Sequence, residues 1–386
     1  MSSLIDKVKK LAAGFDEETL RSIEINPLRV EAGAIQEVAP YLKEQQYSRV
    51  IIAADAITYE IAGKTLEEAV AALGISVHVT NLKPDRQGDV IADEASIVQL
   101  LLDIQQYKAQ VVIAAGSGTI HDISRYAAYT ASIPFVSVPT APSVDGFNSK
   151  GAPIIIRGEK KTIAAIGPDA IFADLDILAS APAAMVAAGF GDMLGKYTSL
   201  LDWSFGASEG GEPYSVEVAE ITRIALNKCV EHIDLIARRD PEGIRILIEA
   251  LIESGLAMLL FGQSHSASGS EHHLSHFWEM EYIRLGKRQL LHGAKVGVAC
   301  AEISKLYHRL AEEESGLAFT AHPEKVREAI AALPGESMLR EWLSQVGGPS
   351  TTEELGVDSE LLMRSLLEAH HVRPNRYTLL RAYNSL

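Results

Sequence analysis

The spacing of apolar residues changes period partway along the chain, and that change limits the fold more than any other feature. Up to about residue 174, short continuous apolar runs alternate with helical stretches. Residues 49–55 (Arg-Val-Ile-Ile-Ala-Ala-Asp), 75–80, 110–115, 134–139 and 169–174 read as strands. Such runs, separated by helices, indicate a parallel sheet covered on both faces. Residues 153–157 and 161–166 flank Gly158-Glu-Lys and read as an antiparallel hairpin grafted on that sheet. Beyond residue 181 the recurrence is helical. Val218, Ile221, Ala225, Cys229, Ile233 and Ile236 form one series, and Ile244, Leu247, Ile248, Leu251, Ile252 and Leu256 begin another. The expected architecture is an α/β N-terminal domain with a mostly parallel sheet (1–181) and an all-α C-terminal domain (182–386). With no linker between them, the two should pack directly and leave a cleft, a common position for ligands.

The chain has 386 residues, enough for two cores. Its net charge of −16 argues against non-specific nucleic-acid binding or docking on an anionic membrane, both of which need basic surface. A small anionic substrate needs only a few local cations and stays allowed. Two cysteines, Cys229 and Cys300, build no disulfide framework and suit a reducing cytosol. Residues 1–20 carry Asp6, Glu17 and Glu18 and read as a short amphipathic helix rather than an export signal. The longest apolar stretch, 177–190, is too short for a bilayer and contains Pro182, so a cytoplasmic protein without membrane insertion is expected.

Three groups of residues carry chemistry. Gly116-Ser-Gly-Thr-Ile-His-Asp122 lies between a strand and a helix, where glycines and free N–H groups can receive a pyrophosphate; the spacing also fits a plain glycine turn. Asp55, ending an earlier strand, either contacts a ribose or base or caps the next helix. No acid directly follows the strand at 75–80, so exclusion of a 2′-phosphate is not evident and NAD and NADP both stand. Pro139-Thr-Ala-Pro-Ser-Val-Asp-Gly-Phe-Asn-Ser149 makes a dense polar loop at the carboxyl edge of the sheet. The third group spans three helix starts. Asp192 lies in Gly191-Asp-Met-Leu-Gly-Lys196, His272 and His276 share a helix face four residues apart, and His292 precedes a glycine. A carboxylate and imidazoles form an incomplete shell for zinc, nickel, cobalt or iron, with room for substrate.

Together these segments resemble the iron-containing alcohol dehydrogenase, glycerol dehydrogenase and dehydroquinate synthase superfamily. More closely they resemble sn-glycerol-1-phosphate dehydrogenases of the bacterial branch, over nearly the whole chain. The matching segments are 118–122, Pro139-Thr-Ala-Pro-Ser-Val-Asp-Gly, Gly191-Asp-Met-Leu-Gly-Lys, Ser-Gly-Ser-Glu-His-His-Leu-Ser-His276 and His292-Gly. The resemblance implies one divalent metal, zinc or nickel, on Asp192, His272 and His292. It places Asp145, His276 and Asp192 beside the substrate. Asp55, Gly116, Gly118, Thr119, Ile120, His121, Asp122, Thr140, Ala141, Pro142, Ser143 and Ser149 would hold NAD or NADP. A homodimer is also implied.

The implied reaction is reversible reduction of dihydroxyacetone phosphate to sn-glycerol 1-phosphate, a precursor for phospholipids. Lys150, Lys161, Lys196 and Arg376 are candidate phosphate partners, with Lys196 favoured because it lies one turn after Asp192. Relatives often carry Ser-Arg-Pro where this chain has Ser264-His265-Ser266, which keeps open an unphosphorylated substrate such as glycerol or another polyol. A cyclising lyase of the dehydroquinate synthase type fits poorly, since Asp192 stands where a Glu is expected. A non-catalytic dinucleotide-binding regulator predicts a broken metal trio, whereas all three residues are present.

Overall fold

A computed structural model describes residues 4–385; residues 1–3 and Leu386, at the ends of the two expected domains, lie outside the described residues. Eight strands precede residue 175: β1 (Leu28–Glu31), β2 (Arg49–Ala54), β3 (Ser76–Asn81), β4 (Val111–Gly116), β5 (Phe135–Pro139), β6 (Gly151–Ile156), β7 (Glu159–Ala164) and β8 (Ala170–Asp174). Six form one parallel sheet in the order β1-β8-β5-β4-β2-β3. Every residue of β4, β5 and β8 is buried, as strands packed on both faces must be. β1 was not anticipated, because four residues with alternating burial at a sheet edge give almost no apolar signal.

The sheet order reverses between β2 and β4. β3 lies outside β2 on one side, whereas the chain returns to the other side of β2 for β4. Ligands of open α/β sheets bind beyond the strand carboxyl ends at such a switch point. Asp55 follows β2 and the Gly116–Gly118 turn follows β4, so topology sets these two segments side by side.

The hairpin differs from expectation in two ways. Its turn is Arg157 and Gly158, both at positive φ, which closes a two-residue connection with Ile156 opposite Glu159. β6 and β7 also form a separate two-stranded sheet, whose one β-bridge to the rest joins Asp93 to Ile155. Ala152 and Ile154 join the core beneath the Glu94–Tyr107 and Gly118–Ala131 helices rather than extending the main sheet.

From Ala183 onward the described residues contain helices and no strand. The Val216–Glu231 and Pro241–Phe261 helices follow the expected periodicity, although the first series breaks at His232, before a short Ile233–Ala237 helix. The N-terminal segment is likewise two helices, Leu4–Leu11 and Glu17–Arg21. One apolar cluster joins Ile171 and Ala173 of β8 to Val186, Phe190, Leu251 and Leu256, so the sheet and the helices share a core. No helix among the described residues is long and apolar enough to cross a membrane.

Candidate active site

Two helices meet backbone to backbone beside the sheet. A Cβ on Gly293 would strike the Ala188 carbonyl oxygen, and one on Gly297 would lie 3.0 Å from the Gly191 Cα. Only glycines allow the Ala183–Leu194 and His292–Glu312 helices to approach so closely. Asp192 and His292, each next to one of these glycines, are thereby brought together. The Ser270–Arg284 helix supplies His272 and His276 from its first two turns.

The donor atoms converge. Asp192 Oδ1 lies 3.7 Å from His272 Nε2 and 4.0 Å from His292 Nε2. The ligand atoms of Asp192, His272 and His292 all fall within 4.8 Å of one another. Glu271 decides which ring nitrogen of His272 is available. Its Oε1 takes the Nδ1–H of His272 at 2.7 Å and the Gly269 N–H at 2.7 Å, while Oε2 takes the Thr198 hydroxyl at 2.6 Å. A carboxylate only accepts, so the His272 proton sits on Nδ1 and the Nε2 lone pair faces Asp192. Burial drives His272, His276 and His292 well below the ordinary imidazole pKa, which keeps them neutral as metal ligation requires. One carboxylate and two neutral imidazoles therefore fit a divalent transition metal.

A second donor set, His276, Glu279 and His292, is equally close in space. Glu279 there already pairs with Lys160 at 2.7 Å and Lys295 at 3.2 Å. Two ammonium groups on its only carboxylate make it the poorer cation site.

Behind Asp192 lies a buried charge cluster. Lys196 Nζ is 2.7 Å from Asp145 Oδ2 and 3.4 Å from Asp192 Oδ1, and also donates to the Ala267 carbonyl. Asp192 Oδ2 accepts the Asp145 backbone N–H at 2.8 Å, and Ser254 donates its hydroxyl to Asp145 Oδ2 at 2.7 Å. Burial pushes Asp192 up to about 7, with the Asp145 carboxylate adding to the effect. Burial alone would lower the Lys196 ammonium, but Asp145 and then Asp192 outweigh it and raise its pKa. The phosphate role expected of Lys196 is thereby corrected: the side chain is 0% exposed and its ammonium is committed to two acids.

The remaining phosphate candidates also separate. Lys161 is half-exposed and pairs with Glu159, and Arg376 is buried against the Ser268 carbonyl and Glu212. Lys150 does line the large cavity beside His276, and so does Lys160. Sequence reading missed Glu271, Lys160, Glu279 and Arg373. For Glu271 the only local hint was its position beside His272. For Arg373 there was none, because it reaches His276 from 97 residues away.

On the nucleotide side, Asp55 caps its helix, with Oδ1 accepting from the Ile57 and Thr58 N–H groups. Ser117 precedes the Gly118–Ala131 helix without capping it through its side chain, which leaves first-turn N–H groups open to an anion. The Ile120 side chain belongs to the core, and both ring nitrogens of fully buried His121 are occupied, by Ser117 O and Ser137 Oγ. Side-chain contact with a coenzyme is corrected for both, leaving their backbone. Asp122 pairs with Arg125 at 2.9 Å, and that guanidinium grips the carbonyls of Gly146, Phe147 and Gly151. Thr140 ties to the glycine turn through its N–H on the Gly116 carbonyl, and Thr140, Ala141, Pro142 and Ser143 form a buried shelf. The Ser149 hydroxyl turns inward to the Gly146 carbonyl.

The sequence pattern of the iron-containing alcohol dehydrogenases matches residues 29–182. Glycerol-1-phosphate dehydrogenase (NAD(P)+) of Geobacillus stearothermophilus is 47% identical, covering 94% of this chain and 93% of its own. The protein of that name from Bacillus subtilis is 42% identical over 100% and 97%. Among solved structures, a probable glycerol dehydrogenase from Sinorhizobium meliloti aligns over 94% of this chain and 95% of its own, with a TM-score of 0.69 at 16% identity, which speaks for the fold alone. Full-length identity at this level leaves one conclusion: the chain belongs to the glycerol-1-phosphate dehydrogenase family.

Proposed function

We propose that this protein reduces dihydroxyacetone phosphate to sn-glycerol 1-phosphate with NADH or NADPH, reversibly. The observation that carries the reading is the convergence of Asp192 Oδ1, His272 Nε2 and His292 Nε2, with Glu271 fixing the His272 tautomer. Names and near full-length identity of the relatives support the substrate and the coenzyme.

Asp192, His272 and His292 bind the metal, and Asp55, the 116–122 turn and the 140–149 loop bind the coenzyme. When bound, a divalent zinc or nickel ion supplies Lewis acidity at the ketone oxygen, and the reduced nicotinamide supplies hydride. Lys196 and Asp145 hold the Asp192 carboxylate in place and balance its charge. His276, with Nδ1 facing Glu279 at 3.3 Å and Nε2 lying 3.4 Å from Arg373 Nη2, stands beside the substrate hydroxyls. The crowded backbone between the two glycine-faced helices keeps these groups fixed before substrate arrives, which lowers the orientation cost of the reaction.

The same reading takes residues 1–181 as the nucleotide domain and 182–386 as the metal domain. It also assigns a cytoplasmic homodimer. The two free, buried cysteines suit that compartment, and light scattering on the purified protein tests the dimer.

Absorbance at the reduced-nicotinamide band, with dihydroxyacetone phosphate as substrate, tests the activity. Oxidation of NADH or NADPH should stop after rigorous chelation and return with zinc or nickel, and the product should be the sn-1 enantiomer. Undiminished turnover without metal, or the opposite enantiomer, overturns the proposal.

A further inference from the structure

A cavity of about 730 Å³ opens beside His276. Four of its lining residues are cations, Lys150, Lys160, Arg373 and Arg376, against one acid, Glu159. In a chain of net charge −16 that is a local reversal of sign. The acids nearby leave two cations unbalanced, Lys150 and Arg373, and of these Arg373 is the one that reaches His276. Lys160 pairs with Glu279, Arg376 lies 3.4 Å from Glu212, and Glu159 pairs with Lys161. Arg373 has no carboxylate within ion-pair distance among the described residues.

Arg373 is nonetheless held rigidly. Nη1 donates to the hydroxyls of Ser264 at 3.1 Å and Ser268 at 2.9 Å, and Nη2 lies 3.4 Å from His276 Nε2. Nε makes no hydrogen bond among the described residues. Neighbouring His265 adds no charge, since burial and then the Arg376 and Arg373 guanidiniums lower it to about 3. A half-buried guanidinium fixed by neutral hydroxyls, with no counter-charge, is costly unless an anion completes it. Its Nε and Nη2 form the planar edge that meets two oxygens of a phosphate at once. The His276 ring, whose centroid is 6.1 Å from that of His272, separates this edge from the metal donors by about one side chain. A three-carbon ketone spans the same gap, with its carbonyl at the donors and its ester phosphate beyond His276.

We propose that Arg373 is the residue that binds the substrate's phosphate and so selects dihydroxyacetone phosphate over dihydroxyacetone. The inference rests on the assigned reaction. It also answers the departure at residues 264–266, because the cation in that region comes from the C-terminal segment, seated on Ser264.

The test compares the metal-loaded wild type with Arg373→Gln and Arg373→Lys on both substrates. In Arg373→Gln the ratio of kcat/KM for the phosphorylated over the free ketone should fall about tenfold to a hundredfold, mainly through KM, the range for losing a charged hydrogen-bonded pair. Arg373→Lys, which keeps the charge without the fork, should recover part of the ratio. Inorganic phosphate should inhibit dihydroxyacetone reduction competitively in the wild type and markedly less in Arg373→Gln. An unchanged ratio and unchanged phosphate inhibition in folded variants overturn the assignment of Arg373. A wild type inactive on dihydroxyacetone phosphate overturns the reaction instead. Should Arg373→Gln fail to fold, Arg373→Lys decides through the same ratio, and no fall there counts against the proposal.

Discussion

Glu271 Oε1 lies 2.7 Å from Nδ1 of its own sequence neighbour, His272, and both side chains are buried. Adjacent residues on a helix ordinarily point about a hundred degrees apart. The contact exists because Glu271 sits in the first turn and folds back toward the Gly269 N–H, carrying its carboxylate under the imidazole. One carboxylate thus closes the helix start and selects the tautomer of a candidate metal ligand. Glu271→Gln should weaken zinc or nickel affinity about tenfold to a hundredfold. Metal titration with a competing chelator measures it, and equal affinity in the variant would show that the orientation is set elsewhere.

Lys196→Met leaves Asp145 and Asp192 buried side by side without their ammonium. Breaking such a buried pair costs about 3–5 kcal/mol. The loss should appear in urea unfolding of metal-free protein, and adding Asp145→Asn should restore part of it. A change under about 1 kcal/mol would mean that the acids are already protonated.

His121 offers a pH dependence away from the metal. Burial, first of all, lowers its pKa from 6.5 to about 3. The folded chain resists the proton while the unfolded chain accepts it, so stability falls as pH drops from 6.5 toward 3, by up to about 1.4 kcal/mol per unit. Other buried histidines add to the total slope, so the readout is a difference. His121→Gln should flatten the unfolding midpoint against pH between 6.5 and 4.5. Parallel curves would contradict the assignment.

Both thiols should be silent in the native protein. Burial pushes Cys300 up to about 12 and raises Cys229 as well, so neither supplies thiolate near neutral pH. Ellman's reagent should count no thiols before denaturation and two after it. Rapid labelling of the native chain would reveal an opening that the packed helices do not provide.

The sequence alone determined the layers and most of the chemistry. Continuous apolar runs ending near Asp174 and helical periods beyond Ala183 announce a sheet followed by helices, because burial on two faces or one stripe leaves that imprint on local spacing. His272 and His292 were legible for a similar reason, each in a short motif at a helix start. Asp192 was legible through its glycine-flanked motif, although that motif closes the Ala183–Leu194 helix rather than opening one as the sequence suggested. β1 escaped because an edge strand buries little, and the hairpin's independence from the main sheet is a matter of pairing partners rather than of pattern. Only the tertiary structure decided which cations are neutralised. Lys196 and Arg373 are both cations in the sequence, yet one is neutralised by two acids and the other has no carboxylate within ion-pair distance among the described residues. Charge balance depends partly on neighbours from distant segments, Asp145 beside Lys196 and Ser264 and Ser268 beside Arg373, and local sequence spacing holds no record of those.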